Sequence, residues 1–222
     1  MISKNIEDFN ALKNSWETFK SNPDNQKIRI RDAAKNLNVS EAELLSTEIN
    51  KNVSLLSIPN KENFLLKILS LDKIMTLIRN DIVVHEKVML TSNIKLNKNS
   101  FLNTSDDNYP LLNFNEDNFY FVFSEIKEHA KRELRSFQFF DICGNSSLKI
   151  YLKGKDTAGF DKLTEEYKID YNYEVQEQIV NKKQPTLSKT DNVLEGLTNV
   201  KLFFTDNNLS YTDYYKLDIN II

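Results

Sequence analysis

The chain has 222 residues, 40% of them hydrophobic and 27% charged, with a formal net charge of −3. That is enough apolar material for one domain with a real core and a short appendage, and no basic excess advertises nucleic acid or an acidic membrane. Four glycines leave no room for Gly-rich phosphate loops, one cysteine (Cys143) excludes an internal disulfide or a Cys-based zinc site, and two histidines exclude a multi-histidine metal centre.

Residues Met1–Asp8 carry no apolar signal core, and no run approaches the roughly 18 apolar residues of a spanning helix. The expectation is a cytoplasmic protein without membrane insertion, in keeping with a lone cysteine in a reducing compartment. Ile6, Phe9, Leu12, Trp16 and Phe19 recur at helical steps and predict an amphipathic first helix that Asn22-Pro23-Asp24 ends. A second helix is predicted over 31–37, broken by Asn38. Ser40-Glu41-Ala42-Glu43 is a capping box opening a short third helix through Leu44 and Leu45. Another helix is predicted over 61–69 behind Asn60, with Phe64, Leu65, Ile68 and Leu69 inward.

After residue 70 the period changes. Ile74–Ile78 and Ile82–Leu90 read as strands of a hairpin about Asn80-Asp81, and further strands are predicted near 109–114, 118–126, 134–142 and 147–153. Phe119-Tyr120-Phe121-Val122-Phe123 is apolar on both faces, which predicts a central, doubly covered strand. A last helix is predicted over 157–168. Helices, then antiparallel strands, then a helix define an α+β fold, an antiparallel sheet flanked by helices. Residues 1–169 read as one module, 170–192 as a polar linker with Pro185, and 193–222 as a short C-terminal segment too small to bury a core alone.

The pair of short helices around residues 31–47 mimics a helix-turn-helix, but Glu41, Glu43 and Glu48 give its second helix the wrong sign for a phosphate-lined groove. An αα corner is the favoured reading, with no nucleic-acid partner. His85 shares a strand face with Val83 and Met89, while Val84, Glu86 and Val88 point the other way. A lone imidazole on such a face is more often a core histidine than a ligand. A haem site remains open because haem iron needs only one axial protein ligand. His129, beside Glu128, Lys131 and Arg132, reads as a solvated residue in a charged connection. Cys143 has no adjacent activating base. Residues and spacing alone stop at an α+β domain of unassigned role.

Three blocks in order resemble the repeated module of the HemS/HmuS/ChuS haem-utilisation family. They are Ile30-Arg31-Asp32-Ala33-Ala34 through Val39–Leu44; Ile78-Arg79-Asn80-Asp81-Ile82-Val83-Val84-His85-Glu86-Lys87-Val88; and Ser136-Phe137-Gln138-Phe139-Phe140-Asp141 with Gly144 and Lys149–Leu152. The arginine-asparagine and valine-histidine-glutamate block is the most specific. Family members usually carry two such modules, and here Leu197–Phe204 resembles the first helix of a second. The resemblance implies a haem-binding protein of haem-iron acquisition that carries haem, or opens it oxidatively with an external electron donor. It also admits a carrier handing haem to a separate oxygenase, a homodimer like those of single-module relatives, or a degenerate remnant acting as an interaction module. It implies His85 as the iron ligand. It puts Lys201 where the second module's ligand histidine stands, and an ammonium of ordinary pKa has no lone pair for iron. Tyr120 aligns with a distal arginine, which implies a tyrosine that hydrogen-bonds a distal ligand or, in competition with His85, binds ferric iron as a phenolate. Arg79, Lys87, Arg132, Arg135 and Lys201 are the implied candidates to face the propionates.

Overall fold

A computed structural model describes residues 6–80, 83–105, 110–129 and 132–169. The predicted linker and C-terminal segment, Lys201 included, lie outside them. Helix α1 (Ile6–Ser21) is followed by a single 3-10 turn at Pro23–Asn25, capped by the Asn22 side chain. Helix α2 (Ile30–Leu37) ends at Asn38, which takes the left-handed conformation at φ 57°, a role its short polar side chain tolerates. Helix α3 (Glu41–Ser46) starts on the predicted capping box: the Glu43 backbone donates to Ser40 Oγ at 3.2 Å and the Ser40 backbone donates to the Glu43 carboxylate at 2.7 Å.

Strand β1 (Val53–Leu56) leads into α4 (Lys61–Ile68), whose first turn is capped by Asn60. Strands β2 (Lys73–Arg79) and β3 (Val84–Leu90) form the predicted hairpin. A small three-stranded sheet follows, built from β4 (Ile94–Asn97), β5 (Ser100–Asn103) and β6 (Pro110–Asn113). The chain then returns through β7 (Phe121–His129), β8 (Arg132–Phe140) and β9 (Ser146–Leu152) to helix α5 (Thr157–Tyr167). The main sheet has six antiparallel strands in the order β1-β7-β8-β9-β2-β3, so β3 is an edge. The fold is α+β, as the sequence predicts.

Each face of this sheet has its own cover. On one face α4, α5 and the small sheet pack over the main core: Phe64 sits edge-on to Phe137 and Tyr167, and Phe160 stacks on Phe137 with centroids 4.4 Å apart. On the other, Ala42 and Leu45 of α3 pack against Leu55, Phe121, Phe123 and Phe140, and Leu12 and Trp16 of α1 and Ala33 of α2 cluster with Leu44 of α3. Strand β7 contributes Val122 to one core and Phe121 and Phe123 to the other, so it is doubly covered as predicted. The β8–β9 turn meets the start of α3: Ala42 N donates to Gly144 O at 3.1 Å, and a Cβ at Gly144 (φ 78°) would stand 2.3 Å from Ser40 Oγ. Only glycine fits there.

The expected bounds shift in places. Tyr120 and Phe119 precede β7, which instead runs on through Lys127–His129 paired with Arg132–Leu134. His129 therefore ends a strand rather than lying in a connection. Strands β1, β4 and β5, four residues each, were not anticipated.

Phe64 is fully buried among three aromatic partners. Phe64→Ala is expected to lower unfolding free energy by about 3–5 kcal/mol. Leu66→Ala, on the 48% exposed side of the same helix, should stay within about 0.5 kcal/mol. Equilibrium urea denaturation of the two variants measures both.

Candidate functional site

Helices α1–α3 pack over β1, β7 and the Phe140 end of β8 on their face of the sheet, and Glu41 of α3 reaches Lys149 on β9. Beyond this cover, a groove of about 550 Å³ runs between the strands and the start of α2. Strand parity builds its floor. Leu77 lies between Lys149 and Glu86, Met75 between Tyr151 and Val88, and Ser136 between Tyr151 and Glu125. Side chains of alternate residues on each strand thus converge on one surface. Arg29, Arg79, Lys127 and Lys149 bring positive charge to the lining, Glu86 and Glu125 negative charge, and Ile30, Leu77, Val84 and Leu134 apolar area.

The groove's upper wall is fixed by a buried ion cluster. Lys149 Nζ donates to Glu41 Oε2 at 2.9 Å, with both side chains at most 7% exposed, and Arg79 Nη2 reaches Glu41 Oε1 at 3.5 Å. Two cations share one carboxylate, so these three groups keep a net positive charge. Arg79 Nε is buried and has no partner among the described residues. Lower down, Gln138 Nε2 donates to Glu125 at 2.6 Å and to Ser136 Oγ at 3.2 Å. The Tyr151 phenol is pushed up to about 12, chiefly by burial and further by the nearby Glu125 charge, while Arg79 works the other way. It is a neutral phenol at any physiological pH.

Of the residues singled out from sequence, Arg79 lines the groove. His85 lies on the opposite face of the sheet: it sits opposite Ile78, in the same row as Thr76–Lys87 and Ile74–Met89. The expected sharing of a face with Met89 holds, and that face is the main core's. His85 Nδ1 is buried without a partner. Lys87 follows on His85's face, exposed at the sheet edge. Arg135 is opposite Ile126 and is engaged by Glu133 at 2.7 Å and by Asp161 of α5 at 3.3 Å. Arg132 is exposed at the far end of β8. Tyr120 is 49% exposed beside β7, four strands from β3, with its backbone N–H donating to Phe140 O at 2.8 Å. These candidates do not converge on one place. Burial and Asp141 raise the Cys143 thiol, so it is no thiolate nucleophile. Glu41, Lys149, Tyr151, Glu125 and Gln138 were not singled out. Their signal is the alternation Leu148-Lys149-Ile150-Tyr151, which sends two polar-tipped side chains to one face.

Every residue of α3 is buried, and Glu41 is spent on Lys149 and Arg79, so this helix has no free face for a DNA groove. Among the described residues no cluster of acidic, histidine or cysteine side chains could hold a metal ion, and no helix is long and apolar enough to cross a membrane.

Fold and groove together define an α+β module with a cationic cleft on the open half of its sheet. A model of the haemin-degrading HemS/ChuX domain matches residues 38–167, more than half of the sequence. The chain belongs to this haem-utilisation family. Among solved structures it is similar to holo-PhuS, a heme-binding protein from Pseudomonas aeruginosa, at 21% identity and TM-score 0.68 over 94% of this chain and 63% of PhuS. It is also similar to the heme degrading enzyme ChuS of Escherichia coli O157:H7, at 22% identity and TM-score 0.67 over 94% of this chain and 62% of ChuS. The heme binding protein ChuX matches at 13% identity and TM-score 0.54, over 70% of this chain and 97% of ChuX. At such identities the likeness is one of fold, and the chain spans between half and two thirds of the length of PhuS and ChuS. No curated protein matches the chain in sequence.

Glu41→Ala leaves the Lys149 ammonium buried without its carboxylate, and is expected to cost about 3–5 kcal/mol of stability. Adding Lys149→Met to the same chain should recover part of that loss, because the uncompensated charge is then gone. Urea unfolding of the single and double variants provides the check.

Proposed function

We propose that this chain binds haem as a cytoplasmic protein of haem-iron utilisation, carrying the group in the groove on the open face of the sheet. The observation that carries the reading is the groove's make-up, in a member of this family: apolar Leu77, Val84 and Leu134 beside Arg79, whose buried Nε lacks an acceptor. A pocket of this volume, with an apolar strip of Ile30, Leu77, Val84 and Leu134 bordered by cationic groups, suits a flat ligand that carries negative charge at its edge. Haem, with its two carboxylates, fits that description. Arg79, Arg29 and Lys127 would hold the propionates by charge-assisted hydrogen bonds. Once bound, the iron supplies whatever redox or ligand chemistry the protein uses. Oxidative opening of the ring would need an external electron donor. Handing haem on to a separate oxygenase needs none, and carriage is the simpler reading.

One observation favours a second seat. Nδ1 of His85 is buried and unpaired, and an imidazole with an unspent nitrogen is what an axial ligand requires. In this reading His85 binds the iron at the edge of the hairpin, on the face away from the groove, with Lys87 beside it.

Haemin titration in the Soret region tests both. The wild-type protein should show a saturable Soret change. Arg79→Lys keeps a cation near Glu41 but removes the fork, and should weaken binding by about tenfold, or ~1.4 kcal/mol. His85→Ala should leave the titration unaltered if the groove is the seat. If the hairpin face is the seat, it should shift the Soret band and weaken binding at least about tenfold. A wild-type protein with no saturable change overturns haem binding itself.

A further inference from the structure

The groove offers few atoms that could bind iron. Glu125 accepts a hydrogen bond from Gln138 at 2.6 Å. Glu86 is exposed on the edge strand, away from the groove's centre. His85 projects from the other face. Cys143 sits in the β8–β9 turn outside the lining. Tyr151 is different. It stands on β9, a central strand, flanked in register by Ser136 and Met75, and contributes to the groove's floor. The side chain is half-buried, and its hydroxyl makes no hydrogen bond among the described residues. The tip is therefore free to meet whatever enters the groove.

From this geometry we propose that Tyr151 is the axial ligand this chain offers to ferric haem, an inference that rests on the groove being the haem seat. Tyrosinate is an established axial ligand class for haem iron. The step is balanced without any redox partner: the phenolic O–H bond breaks, the proton leaves to water, and an oxygen–iron(III) bond forms. Of the charges around it, the Arg79 guanidinium favours the anionic oxygen, while Glu125, Glu41 and Glu86 oppose it. The high proton affinity that burial gives the free phenol means Tyr151 is not ionised beforehand, so only a strong Lewis acid displaces the proton. Iron(II) is a weaker one, and the bond is expected to be lost on reduction.

The test uses the full chain with haemin as the probe, in the wild type and in Tyr151→Phe, Tyr151→His and His85→Ala. The wild type should give a high-spin ferric phenolate absorption and a resonance Raman iron–phenolate band, both abolished by dithionite. Tyr151→Phe should lose this signature and weaken haemin binding by about tenfold. Tyr151→His should replace it with an imidazole-type spectrum, and His85→Ala should keep it. The proposal is overturned if Tyr151→Phe binds haemin with the wild-type spectrum and affinity, a result that leaves haem binding standing. If the wild type shows no saturable Soret change, the haem reading fails and this ligand assignment fails with it.

Discussion

The carboxylate of Glu41 ties the N-terminal helices to the middle of the main sheet. It is the first residue of a helix of only six residues, too short to persist on its own, and it reaches across to Lys149 and Arg79 on neighbouring strands of the sheet. A buried ion pair is a poor source of net stability, because desolvation offsets much of the attraction. Its value here is positional. It fixes where α3 sits on the sheet, holds Arg79 at the groove wall, and leaves one excess positive charge beside Leu77 and Val84. The Gly144 turn adds a second fastening at the same end, through Ala42 N–H and the close approach to Ser40.

The fold was largely legible because its long elements carry strong local signals. The capping box at Ser40, the left-handed stop at Asn38 and the alternating hairpin of β2 and β3 are each specified within a few residues. The failures have a common cause. Strands β1, β4 and β5 are four residues long, too short for alternation to stand out. The β4–β5 turn uses Lys98 at φ 48° rather than the glycine or asparagine that would announce it. The β7 register slipped because Phe119 and Tyr120 look like strand, whereas the charged Lys127–His129 arm is in the strand through backbone pairing alone.

The site was less legible, for a different reason. The resemblance pointed to residues one by one, while a groove is a property of rows running across strands. Arg79 and His85 are six positions apart in sequence and on paired strands, yet opposite parity sends them to opposite faces. Conversely Glu41 and Lys149, 108 residues apart, meet at 2.9 Å. Nothing in the local sequence of α3 says that its acidic residue answers a lysine on β9. The acidic residues of α3 that weighed against a DNA groove are turned inward instead, with every residue of the helix buried.

The pattern of unsatisfied groups gives this arrangement its physical meaning. Among the described residues, five buried side-chain polar atoms lack a partner, and three of them, on Thr76, Arg79 and His85, lie on the β2–β3 hairpin. Each such group costs about 1–3 kcal/mol relative to a satisfied one. Their concentration in one hairpin, at the open end of a sheet that is otherwise well packed, marks where the fold spends stability. The hairpin is also the edge of the sheet, with Val84, Val88 and Leu90 about half exposed. The three groups do not share a face: Arg79 lies in a row with Val84 on the groove side, whereas Thr76 and His85 lie in the rows of the main core. Only Arg79 among them stands on the same face as the half-exposed Val84, Val88 and Leu90, so the polar shortfall that a groove ligand meets is confined to its guanidinium.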